Sequence, residues 1–145
     1  MFNERILKFR AWDAKNKKFP FIGFHVIGEC TAFDLLQQYR LEEYNDLVIS
    51  QFTGLKDKNN REIYEGDIVK TDPNHITVAL GSNSAGLYSK GVITWLREGF
   101  EVCQEQIGAT RLSDFASCDC CSCGLEVIGN IFENTELLSK NPELC

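Results

Sequence analysis

Histidine is scarce in this chain of 145 residues: His25 and His75 are the two, far apart and with no second ligand at metal spacing beside either. A histidine-based zinc site and the H-E-x-x-H protease signature are therefore excluded. No G-x-S-x-G elbow is present, which removes the plainest sequence sign of a serine hydrolase. A phosphate loop is missing too. In GSNSAGLYSK, Gly81 and Gly86 have the right separation, but Leu87 stands where the motif needs lysine, so no cation would meet the phosphates. Apolar runs fall short of the ~18 to 20 residues a membrane-crossing helix needs. The start, MFNERILKF, lacks the basic-then-apolar order of a signal peptide. Nor is positive charge in excess: 15 Lys and Arg against 21 Asp and Glu leave a net charge of −6, so no overall field draws the chain to nucleic acid or anionic membranes. The expected location is the cytoplasm, without a membrane partner.

What is present fits one small globular domain. A chain of 145 residues buries about two-thirds of its unfolded surface on folding and needs no metal or disulfide staple. The expected layout is a single domain over 1–145, with a β-hairpin and short helix in 1–47, a barrel-like core in 48–133 and a short helix or tail in 134–145. The seven cysteines are an odd number, a poor match to a paired disulfide framework, so free thiols are expected. Charge is uneven: residues 1–18 carry six bases and two acids, and residues 98–145 carry nine acids and two bases. Head-to-tail contact between chains would use that asymmetry, although two solvated faces explain it as simply.

Periodicity points to strands. In RILKFRAWD, Leu7, Phe9 and Ala11 alternate with Lys8 and Arg10, the pattern of a half-buried strand. After the polar DAKNKK, the run FPFIGFHVIG reads as its hairpin partner. TAFDLLQQYRLEEY has near-helical spacing with Thr31 as a candidate N-cap. DLVISQFTGL and IYEGDIVKT read as strands joined by KDKNNRE, where Asn59 and Asn60 suit a tight turn. HITVAL is a further strand candidate, and KGVITWLREGFEVCQE is a hairpin bending at REG, with Ile93, Trp95, Phe100 and Val102 packing across it. LEVIGNIF is the last strand, and a short helix capped by Asn134 follows. Many short strands without regular strand–helix alternation predict a mainly β protein, a small barrel or roll.

The densest chemistry is CDCCSC, with Cys118, Cys120, Cys121 and Cys123. Closely spaced thiolates attract soft metals, and zinc is the cofactor they would hold. Structural zinc sites, however, draw ligands from two separated C-x2-C knuckles. Here the pairs overlap, and in an extended segment Cys118 and Cys120 face away from Cys121, so the cluster reads as a cysteine-rich loop. His25, within an apolar strand, reads as a structural residue, and Glu65 and Asp67 read as turn residues that bond nearby backbone. Phe9, Arg10, Trp12, Lys15, Lys17 and Lys18 place aromatics beside bases, a combination that binds single-stranded nucleic acid on small barrels. The chain's acidity and the inward turn expected of Phe9 weigh against it.

Four pieces, in order along nearly the whole chain, carry a resemblance: LKFRAWDAKNKKF, QFTGLKDKNNREIYEGDIVK, KGVITWLREGFEV and LEVIGNIFENTELL. Together they resemble the YopX family of phage and prophage proteins. The resemblance implies a β-rich fold with an SH3-like small barrel, a phage or prophage origin, a homo-oligomer and no assigned biochemical activity; with no catalytic motif in the chain, no enzyme is expected. The matching positions are Thr53, Gly54, Asp57, Tyr64, Gly66, Asp67, Gly129 and Asn130. Each takes a fold role: backbone freedom at the glycines and local hydrogen bonds at Thr53, Asp57, Asp67 and Asn130. Asn60 stands where the family's turn has glycine, Thr135 replaces a proline, and CDCCSC lies outside the pattern. The expected function is that of a non-enzymatic phage or prophage accessory protein acting by self-association or by binding a phage or host macromolecule, with Tyr64 and Trp12 as natural contact residues. The alternatives are a metal- or thiol-dependent protein using Cys118 to Cys123 and a single-strand-binding barrel. Elemental analysis separates the first of these: protein purified without added metal is expected to be folded and metal-free, whereas about one zinc per chain would establish the metal reading.

Overall fold

The computed structural model describes residues 7–25, 47–71, 90–104, 108–115 and 124–138. Strands dominate these: β1 (Lys8–Asp13), β2 (Lys18–His25), β3 (Leu47–Lys56), β4 (Glu62–Tyr64), β5 (Asp67–Thr71), β6 (Lys90–Leu96), β7 (Gly99–Gln104), β8 (Gly108–Arg111) and β9 (Leu125–Asn130). The helical elements described are a single turn, α1 (Leu112–Phe115), and a 3-10 turn at Thr135–Leu137. One sheet has the order β2-β1-β3-β4 and the other β8-β7-β6-β5-β9. The fold is mainly β, with a curled half-barrel sheet and a second sheet, in keeping with the small-barrel expectation. Internal contacts divide the chain into two compact units, Met1–Phe52 and Thr53–Cys145, with the boundary inside β3.

In the first unit β1 is a central strand. It pairs antiparallel with β2, from Lys8 opposite His25 to Asp13 opposite Lys18, and with β3, from Phe9 opposite Gln51 to Asp13 opposite Leu47. The polar turn between β1 and β2 is held by Asp13. Its Oδ1 accepts the N–H groups of Lys15 and Asn16 at 3.0 and 2.9 Å, and its Oδ2 accepts the Asn16 side-chain amide at 2.6 Å. The expected alternation fails at this strand: Leu7 is exposed, while Arg10, Ala11, Trp12 and Asp13 are all buried. Phe19 is the reason on one face. The Arg10 guanidinium lies 4.9 Å from the Phe19 ring centre, and the Trp12 ring meets Phe19 at 4.9 Å. A long cationic stem can lie along apolar surface in this way, so an arginine in a strand does not by itself mark a solvent face.

The second unit is organised by its turns. IYEGDIVKT is two strands, not one: β4 and β5 belong to different sheets, and Gly66 between them has φ +86°. Side-chain-bearing residues seldom adopt that conformation. The Gly66 N–H donates to the Ile93 carbonyl at 2.8 Å, and its own carbonyl accepts the Ile131 N–H at 2.9 Å. This one glycine therefore ties β6 and the segment after β9 to the β4–β5 corner. Asp67 Oδ2 accepts the Tyr64 N–H at 2.8 Å across the same corner, as its reading as a turn residue requires. Around it, Ile63, Val69, Ile93, Val102, Leu112, Phe115 and Leu125 form the buried core, each aliphatic side chain contributing roughly 1.5 to 3 kcal/mol relative to exposure.

The family positions behave as structural residues. Thr53 donates its hydroxyl to the Ile63 carbonyl at 2.8 Å. Asn60 takes φ +65°, the left-handed conformation that asparagine tolerates. Asp57 is 4% exposed, and its carboxylate accepts three backbone N–H groups, from Asn59, Arg61 and Val127, each at 2.9 Å. The Lys58 N–H adds a bond to the Leu125 carbonyl at 3.0 Å, so the KDKNNRE turn is laced to β9. Asn130 Oδ1 accepts the N–H groups of Phe132 and Glu133 at 3.0 and 2.9 Å. Asn134 does not cap with its side chain as expected: it precedes the 3-10 turn, but its Oδ1 accepts the Asn130 N–H at 3.2 Å instead. Periodicity also missed β8 and α1, which are four residues each, too short to show a period. The expected helix after Thr31, the HITVAL strand and CDCCSC lie outside the described residues.

Two predictions follow from these turns. Asp57→Ala leaves the N–H groups of Asn59, Arg61 and Val127 without their acceptor and is expected to destabilise the fold by about 2 kcal/mol, read from urea unfolding. The Asn16 amide and N–H, helped by the Lys15 N–H and the nearby Lys18 charge, hold the Asp13 carboxyl below its ordinary value of 3.8. Because the folded value is the depressed one, the stabilisation is present above pH 3.8 and is lost as pH falls through the folded value. Asn16→Ala is expected to raise the Asp13 pKa toward 3.8, with carbon-detected NMR titration as the check.

Candidate functional site

The β6–β7 hairpin turns in two residues, Arg97 and Glu98, because Arg97 adopts φ +53°. Beyond the turn the strands pair Trp95 with Phe100, Thr94 with Glu101 and Ile93 with Val102. Ile93 and Val102 are buried in the core. Trp95 and Phe100 meet edge to face, ring centres 4.8 Å apart and planes at 84°. Trp95 nevertheless remains 46% exposed, so the contact holds an indole rigidly at the surface and does not bury it.

On the other side of β7, β8 pairs Arg111 with Glu101. Between the hairpin turn, the start of α1 and the end of β3 lies an open cleft of about 510 Å³. Its charged lining is Arg97, Glu98, Glu101 and Arg111, its apolar lining includes Leu55, Phe100 and Leu112, and the hydroxyl residues Thr53 and Ser113 complete the wall. Glu101 is 5% exposed, and its Oε2 is closed off from water without a hydrogen-bond partner among the described residues. Neither Arg97 nor Arg111 has an ion pair among them; the surface pair Lys58–Glu126, at 2.9 Å, lies elsewhere. Gln104, 1% exposed, also has an unbonded side-chain amide but does not line the cleft.

The residues singled out in the sequence do not meet here. Cys118, Cys120, Cys121, Cys123 and His75 lie outside the described residues, and His25 lies on β2 opposite Lys8. Cys103 is buried and disulfide-bonded, so the expectation of free thiols fails at this position. An odd cysteine total forbids complete pairing, not a single bridge. Among the described residues no group of three or more His, Cys, Asp or Glu side chains is placed to hold a metal ion, and no helix is long and apolar enough to cross a membrane. Tyr64 and Trp12, expected as contact residues, are 3% and 4% exposed: Tyr64 donates its hydroxyl to Glu62 at 2.9 Å and Trp12 packs on Phe19. The basic and aromatic residues of the first hairpin likewise form no open stacking platform, because Arg10 and Trp12 are buried. Sequence reasoning missed Arg97, Glu101 and Arg111. Only the pairing register brings Glu101 and Arg111 together, and Arg111 sits on a strand too short to be read.

These features describe a small, mainly β protein whose turns are fixed by buried Asp and Asn side chains, with one open mixed-charge cleft among the described residues. Residues 8–139 match the family model described as YopX protein, and the chain belongs to the YopX family. A solved structure, that of protein EF1440 from Enterococcus faecalis, is similar at 29% sequence identity with a TM-score of 0.53, covering 93% of this chain and 99% of that one. Among curated proteins, no sequence matches the chain.

Proposed function

We propose that this protein is a non-enzymatic accessory protein of a phage or prophage, working in the bacterial cytoplasm by association, in the first place with further copies of itself. The observation that carries the reading is Trp95, 46% exposed yet held edge to face against Phe100. A large aromatic presented at low conformational cost is the kind of side chain that anchors protein interfaces. A second copy is the favoured partner because the chain's charge is segregated, with basic residues concentrated in 1–18 and acidic ones in 98–145. Copies meeting head to tail would bring the two signs together, and such complementarity speeds and orients association. Membership of the YopX family supports the phage setting through the resemblance already described.

Sedimentation velocity over a concentration series tests this. The protein is expected to sediment as an oligomer, and Trp95→Ser to shift it toward monomer by at least about tenfold in dissociation constant, with an unchanged circular dichroism spectrum. Added salt is expected to weaken the assembly further. A protein that stays monomeric at every concentration, or an assembly indifferent to Trp95→Ser, would refute the reading.

A further inference from the structure

The turn between β1 and β2 carries an inference that rests on the self-association reading and names the surfaces that meet. Lys17 is the anomaly. It sits in this turn at φ +54°, a left-handed conformation that costs a residue with a long side chain but that glycine and asparagine take readily. Gly54, Asn60 and Gly66 follow that rule at φ +89°, +65° and +86° among the described residues. Lys17 and Arg97 depart from it, each at the end of a hairpin. Backbone strain of this kind is kept where a side chain serves something besides the turn. The conformation of the turn does not need the Lys17 ammonium, because Asp13 accepts the Lys15 and Asn16 N–H groups and the Asn16 amide. Lys15, Lys17 and Lys18 are all exposed, so the turn presents a compact positive surface on a fixed loop.

The complementary surface is on the same chain. Residues 126–138 contain three glutamates and no lysine or arginine. Glu126 is paired with Lys58 at 2.9 Å, while Glu133 and Glu136 are exposed on the turn that follows β9. This turn is fixed as well: Glu133 accepts the Asn130 side-chain amide at 2.8 Å, and Asn134 Oδ1 accepts the Asn130 N–H at 3.2 Å. Lys90 reaches it on the Leu137 carbonyl, at 3.5 Å. We propose that the Lys15–Lys18 turn of one copy docks on the Glu133–Glu136 turn of another. Both loops are held by their own hydrogen bonds, so little ordering is left to be done on contact, and opposite charge orients the encounter.

Sedimentation velocity of full-length variants, with circular dichroism and urea unfolding as checks on the fold, tests the proposal. Lys17→Asn keeps the turn and removes one charge. Its urea midpoint is expected to be unchanged or higher, and its assembly weaker by about threefold in dissociation constant. Lys17→Glu with Lys18→Glu is expected to weaken assembly about tenfold or more. Glu133→Gln with Glu136→Lys is expected to do the same, the glutamine keeping an acceptor for the Asn130 amide. Mixing the two double variants is expected to restore association, because each retains the turn that the other has lost. An assembly indifferent to both double variants, or a mixture that stays dissociated, would overturn the inference and leave association through Trp95 standing. Wild-type protein that is monomeric at every concentration would remove that reading and this inference with it. A lowered urea midpoint in Lys17→Asn with assembly unchanged would assign Lys17 to the fold and overturn the inference as well. So would lysine variants that assemble normally but lose binding to a labelled single-stranded oligonucleotide, which would assign the turn to nucleic acid.

Discussion

The second unit depends on one buried carboxylate. Asp57 gathers the N–H groups of Asn59 and Arg61 from its own turn and that of Val127 from the last strand. A bond across 70 residues of sequence fixes where β9 lies against the β3–β4 turn, and β9 in turn pairs with β5 from Asp67 opposite Asn130 to Thr71 opposite Leu125. Hydrophobic burial drives collapse but is non-directional. The Asp57 side chain supplies the direction, because each of its bonds requires a donor at a particular place.

From that anchor the five-stranded sheet follows. β5 is held between β9 and β6, and Gly66 bonds to Ile93 on β6 and to Ile131 just beyond β9. Small residues permit close approach: at Gly91 a methyl group would meet Val102 Cγ1 of the neighbouring strand at 2.5 Å, and at Gly129 it would meet Asn134 Oδ1, beyond β9, at 2.6 Å. The contact at Gly129 also explains why Asn134 turns toward β9 and leaves the 3-10 turn uncapped. With β6 and β7 fixed, the hairpin end beyond the core is the part left to vary, and there the fold exposes an indole and opens a cleft.

How much of this could be read from residues alone depends on the range of the interaction. β1, β2, the β6–β7 hairpin and β9 were legible because alternation and turn residues are local signals, and Asp57, Asp67 and Asn130 were legible as turn residues for the same reason. The split of IYEGDIVKT into two strands was not, since the strand-like composition on both sides masks a left-handed glycine whose bonds go to distant partners. The burial of Arg10 was invisible for a related reason: the Phe19 ring that covers it comes from the neighbouring strand. Tyr64 and Trp12 look like contact residues in sequence because aromatic rings anchor interfaces, but the same rings fill cores, and position in the sheet decides between the two. The cleft was the least legible part. Its charges come from a turn, a long strand and a four-residue strand, with no spacing rule connecting them.

The second unit buries three acids, Asp57, Asp67 and Glu101. This fold satisfies a buried carboxylate fully when the carboxylate serves the fold: Asp57 has three N–H donors, and Asp67 has that of Tyr64. Glu101, opposite Arg111 across the ladder, is buried to a similar degree, and its Oε2 has no donor among the described residues. A carboxylate that fixes a turn is thus recognised by the N–H donors it gathers and not by its burial alone.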